Sequence, residues 1–240
     1  LVTASNRART SRLGAVVDIE ANITRFMGTR GPTLRYTSFD YCFNYFQSHR
    51  TDPAQLLAPG KLETSCLQLG FYLASWGMLR GSSAMLWRSS RHLVPLVELL
   101  ANDLCYLWGL DVDGYDAETV PRLREAESAV KQALRDAPDV AVHLELAGRK
   151  KVVASTILTT KILLAVFGCV PAFDTYFCRG FGVSKFDPST LFKIRDFYDA
   201  NADVLDRLHI PTVDFVSGQP TDLMPPPPHL IDLVFFIEGY

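Results

Sequence analysis

The sequence predicts an all-α protein, a single domain over residues 1–240 with about nine to eleven helices and at most a minor strand pair. Three observations carry that prediction. Apolar residues recur at helical spacing in most segments. Cap and breaker residues punctuate the chain at helix-length intervals, with no linker long enough to divide it and no internal repeat. One stretch alone, "VAVHLEL" (140–146), alternates as a strand would.

The first helix is expected over 11–29, where Leu13, Val16, Val17, Ile19, Ile23 and Phe26 share a face, and "GTRGPT" breaks it. Ser38 is a candidate cap for "FDYCFNYFQSH", with Phe39, Cys42, Phe43 and Phe46 on one side. Asp52-Pro53 reads as a cap with proline at the first helical position of a short turn. Leu62–Leu79 is apolar nearly all round and belongs in the core. Arg80 then falls in its last turn, Gly81 is placed to end it, and Ser82 or Ser83 caps "AMLWRSS". Gly77 is left inside that helix, where glycine costs about 1 kcal/mol relative to alanine; close approach of a backbone or ligand would explain it.

Residues 92–108 form another core helix, with Pro95 tolerated in its first turn. Asp116 caps a charged, exposed helix reaching about residue 136. Further helices are expected over 152–167, 173–180, 188–208 and 230–239. An extended connection ending in Pro225–Pro228 leads the last one back.

Composition excludes some classes. Apolar residues are 48% and charged residues 21%, which rules out a disordered chain. The apolar run 157–170 is too short to span a bilayer and contains Lys161, so no membrane is expected. "LVTASNRARTSR" lacks a following apolar stretch, so no signal peptide is read. Five isolated cysteines read as buried reduced thiols, which points to the cytoplasm. No cysteine or histidine spacing proposes a metal, and no cofactor motif is present. A net charge of −2 argues against a general nucleic-acid coat but allows a local basic face, for which Arg149, Lys150 and Lys151 are candidates.

The most informative segment is "TILTTKILLAVFGCVPAFDTYF", residues 156–177. A lysine sits near the start of an apolar helix, "FGCVP" reverses the chain, and an aspartate begins the next helix. Lys161 and Asp174 are thereby expected to face one cleft. This segment resembles the catalytic end of the helix-hairpin-helix DNA glycosylase superfamily, with Lys161, Pro171 and Asp174 at the matching positions. The resemblance covers about a tenth of the chain. It implies a helix-hairpin-helix glycosylase-like fold and double-stranded DNA as partner. It also implies excision of a damaged or modified base, in repair or in defence against foreign DNA. Asp174 would stabilise the cationic sugar, and Lys161, in members with lyase activity, would attack C1′. The departures are plain. Ile157-Leu158-Thr159-Thr160 stands where those enzymes carry a glycine-rich hairpin, and their four-cysteine iron–sulfur loop is absent.

A base pocket would need aromatic walls. "RYTSFDYCFNYF" and "FYLASWGMLRGSS" offer Tyr36, Asp40, Tyr41, Trp76 and Arg80, with Asp40 and Arg80 as an ion pair. The rival expectation is a non-catalytic helical module that binds nucleic acid or protein. There Lys161 only extends from a core helix, Asp174 only caps, and the aromatic residues are core.

Overall fold

The computed structural model describes residues 17–80, 83–135 and 154–240. Among them are nine α-helices and no strand: α1 Ile19–Met27, α2 Ser38–Gln47, α3 Leu62–Ser75, α4 Val94–Asn102, α5 Thr119–Ala133, α6 Thr156–Phe167, α7 Thr175–Phe181, α8 Pro188–Leu205 and α9 Pro227–Gly239. The all-α expectation holds. The alternating stretch 140–146 and the basic cluster Arg149, Lys150 and Lys151 lie outside the described residues.

Two helices are buried on every side, and the rest wrap them. In α6 each residue from Leu158 to Phe167 is buried, and α2, α3 and α5 pack around it. In α9 every residue from Pro228 to Ile237 is buried, beneath α7, α1 and α8. Cutting a core side chain such as Leu163 back to alanine costs about 2–5 kcal/mol. α6 starts where the Ser155 side chain accepts the Leu158 N–H, 3.2 Å, and ends at Gly168 with φ +74°. A helix buried this deeply must place its polar groups, and partners are in place. The Tyr72 hydroxyl donates to the Lys161 carbonyl, 3.2 Å, and Gln47 donates to the Val166 carbonyl, 3.1 Å.

α7 and α9 cross backbone to backbone. A Cβ on Gly180 would collide with the Phe235 carbonyl oxygen, and one on Gly239 with that of Tyr176. Only glycine allows that approach.

Several sequence expectations shift. α1 begins at Ile19, capped by Asp18, whose carboxylate accepts the Ala21 N–H, 3.0 Å. Ser38 does not cap α2: its hydroxyl donates to the Arg35 carbonyl, and a 3-10 turn over Arg35–Thr37 runs straight into the helix. α3 stops at Ser75, four residues early. Gly77, at φ +79°, is its terminating glycine, and the Met78 N–H closes the end onto the Leu73 carbonyl, 2.8 Å. The expected helix over 92–108 is broken: 3-10 turns over Ser90–Leu93 and Cys105–Leu107 flank the nine-residue α4. Pro95 does sit in the first turn of α4. Asp116 stands three residues before α5, and its carboxylate accepts the Glu118 and Thr119 N–H groups, each at 2.8 Å, while Glu118, directly before the helix, makes no side-chain cap bond.

Candidate functional site

The junction of the two buried helices holds three ionisable side chains, Lys161, Asp174 and Asp232. α6 places Lys161, and Gly168 turns the chain. The extended stretch 169–173 then returns beside α6, tied at two points. The Phe173 N–H donates to the Thr160 hydroxyl, 2.9 Å, and the Ala172 N–H donates to the carboxylate of Asp232 on α9, 2.9 Å. The return delivers Asp174 to Lys161, with Nζ 3.2 Å from Oδ2. The other carboxylate oxygen accepts the Tyr176 and Phe177 N–H groups, each at 3.0 Å. Lys161 Nζ also donates to the Trp76 carbonyl, 3.3 Å, and lies 5.0 Å from the Trp76 ring centre.

One carboxylate thus pairs with the cation, and a second, Asp232, lies within its electrostatic reach. Lys161 is 3% exposed and Asp232 2%, whereas the Asp174 side chain is 13% exposed. Burial, reinforced by the Asp174 charge, holds the Asp232 carboxyl well above the usual carboxylate range, against the pull of Lys161 and the Ala172 N–H. Burial favours neutral Asp232, while Lys161 and Asp174 stand in direct ion-pair contact. The same environment raises the Cys178 thiol to about 11, through burial first and the two aspartates second.

Asp174 borders an open cleft of about 890 Å³. Arg124, Lys131, Arg179 and Lys185 line it together with Glu127 and Asp187. Lys131 is engaged by Glu127 at 2.5 Å, and Arg124 donates to the Phe186 carbonyl, 2.7 Å. Arg179 and Lys185 are exposed. Lys161 does not line the cleft; it stands behind Asp174. The pairing expected from the sequence is present, but only the aspartate faces open space.

The five residues expected to form one base pocket are dispersed. Tyr36, Asp40 and Trp76 border a closed void of about 10 Å³, too small for a base. Asp40 pairs with Arg30, not Arg80: Oδ2 lies 3.0 Å from Nε and 2.5 Å from the terminal nitrogen of Arg30. Arg80 is exposed, its guanidinium packed over Gly77, because α3 ends before reaching it. Tyr41 donates to the Pro32 carbonyl, 2.6 Å, and lines a separate surface cavity of about 690 Å³ with Leu34, Leu67 and Phe71. Sequence reasoning missed Asp232 as a site residue. Its signal was the same as that of Lys161, a lone charge within an apolar helix, "HLIDLVFF".

Among the described residues no group of three histidine, cysteine or acidic side chains is arranged to hold a metal. Among them, too, no helix is long and apolar enough to cross a membrane. No protein-family model matches the chain, and no curated protein or solved structure matches it significantly.

Proposed function

We propose that the chain acts on nucleic acid through the cleft at Asp174, as a glycosylase-like hydrolase of an N-glycosidic bond. One observation carries this reading. Asp174 is a carboxylate fixed by two backbone N–H groups and a buried lysine, and it borders an open cleft with exposed cations on its rim. Such a group needs no reorganisation to stabilise positive charge developing beside it.

In this reading the nucleotide sugar sits against Asp174. The C1′–N bond breaks and its electron pair leaves with the base. The carboxylate steadies the cationic sugar while water forms the new C1′–O bond. The departing base takes up the proton that water releases. Lys161 is a positioning residue: three contacts hold its ammonium behind Asp174, so water rather than the amine is the nucleophile. Arg179 and Lys185 would engage the flanking phosphates.

The test is base release from a panel of duplexes and single strands carrying different altered bases. Asp174→Asn keeps the shape and removes the charge, so release should fall by about 10²-fold or more while binding survives. No borohydride-trapped adduct is expected from the native protein. A second reading, a helical binding module without catalysis, is favoured by the burial of Lys161 and Asp232, which a purely structural ion pair would share. It prevails if the native protein releases no base, or if Asp174→Asn unfolds.

A further inference from the structure

Beside Asp174, outside the cleft, three tyrosines gather around one buried ring. Phe236 of α9 lies 5.8 Å from Tyr36, 5.1 Å from Tyr176 and 6.1 Å from Tyr240, centre to centre. Tyr176 and Tyr240 are 5.1 Å apart. The three come from distant parts of the chain: the turn before α2, the first turn of α7 and the residue after α9. Phe236 is buried, Tyr36 and Tyr176 are half-buried, and Tyr240 is 66% exposed. The Tyr36 phenol is raised chiefly by burial, and Tyr240, Tyr176 and Asp174 add to the rise, so the rings and the carboxylate share one neighbourhood.

Each flank of this ledge carries an exposed cation. The Arg35 guanidinium lies 4.8 Å from the Tyr36 ring centre and that of Arg179 lies 5.7 Å from the Tyr176 ring centre. Arg179 also lines the cleft, so ledge and cleft are continuous. Each guanidinium covers a face of its tyrosine, and Phe26 and Trp76 pack against Tyr36, which disfavours a cationic guest and leaves the exposed Tyr240 ring and the outer guanidinium planes as the stacking faces. The void beneath Tyr36, about 10 Å³, is too small for a flat group to enter. What remains is an outer surface of rings and guanidinium planes, suited to a ligand with a flat face and a negative charge.

We infer that this ledge stacks the base next to the one held at Asp174, and that the substrate is therefore an unpaired strand rather than an intact duplex. Stacking on a surface ring needs a free base face, and in a duplex those faces are covered by neighbouring bases. Arg35 and Arg179 then hold the phosphates on either side of the stacked base. The inference rests on the proposed function for the position of the strand, but binding alone tests it.

The experiment is fluorescence anisotropy with labelled oligothymidylate and oligouridylate of about 20 nucleotides, and a duplex of equal length, over a salt series. The native protein should hold a single strand about tenfold or more tighter than the duplex. Tyr176→Leu and Tyr240→Leu should each weaken strand binding about tenfold, whereas Tyr176→Phe and Tyr240→Phe keep a ring and should bind as the native protein does. Arg35→Gln and Arg179→Gln should each lower the salt slope by about one ion or less. Equal affinity for strand and duplex, no binding, or indifference to the leucine variants while the phenylalanine variants fold normally overturns the inference. Strand binding through the ledge without base release overturns the excision reading and leaves the ledge. Base release from duplexes unaffected by the tyrosine variants does the reverse.

Discussion

Among the described residues two ion pairs are buried, and they differ in what surrounds them. Arg30–Asp40 is a closed pair: both side chains are under a tenth exposed, and Arg30 also donates to the Pro211 carbonyl, 2.8 Å. It ties the loop after α8 to α2 over a void too small to admit a ligand. Lys161–Asp174 has the same charges but a third member, Asp232, and an open cleft on one side. A buried pair is a fastener when its charges balance and its walls close. It becomes a candidate for chemistry when one carboxylate is in excess and another meets solvent.

The sharpest way to break that contrast is at the closed pair. Arg30→Met should cost about 3–5 kcal/mol in urea denaturation, because it leaves a buried carboxylate without its partner. Burial already lifts Asp40 to about 6 despite Arg30. The folded form thus binds a proton that the unfolded chain has released, and this part of the stability falls as pH rises from about 4 to about 6. Losing Arg30 should extend that fall to higher pH. A loss well under 1 kcal/mol would mean the pair is no fastener.

The open site should respond more mildly. Asp232→Asn keeps an acceptor for the Ala172 N–H and leaves one cation facing one carboxylate. Stability at neutral pH should change by less than about 2 kcal/mol. Asp232 is raised in the fold, so it contributes stability that falls as pH rises from about 4 through its folded pKa, and the variant should lose that slope. A loss above about 3 kcal/mol would show that both carboxylates are charged and needed, erasing the distinction. The smallest effect belongs to Arg80. Exposed and apart from both pairs, Arg80→Met should cost under about 1 kcal/mol. A larger cost would restore it as a partner of a buried acid.

The sequence made a helix start legible where cap and periodicity agreed, as at Asp174, and missed it at Asp18, which lies inside the helix expected over 11–29. It misled where two local signals were equal. Gly77 and Gly81 both suit a helix end, and the choice falls to the Met78 N–H reaching the Leu73 carbonyl. The Lys161–Asp174 contact was readable because one turn at Gly168 joins the two. The partnership of Arg30 with Asp40, and the presence of Asp232, were not. They depend on how helices distant in sequence dock, and spacing along the chain carries no trace of that. The aromatic pocket failed for a related reason: an aromatic side chain that walls a cavity and one that fills it look the same in sequence, and Trp76 fills.

The glycine crossing of α7 and α9 has a consequence for motion. With no side chain between the two backbones, neither helix can slide or roll without breaking contact with the other. Asp174 and Tyr176 at the start of α7 are thereby geared to Asp232, Phe236 and Tyr240 on and after α9. Amide hydrogens along the two helices would exchange as one cooperative unit. A ligand that reached the proposed site would meet a carboxylate whose bearing is set by the fold beforehand, not by the ligand's arrival.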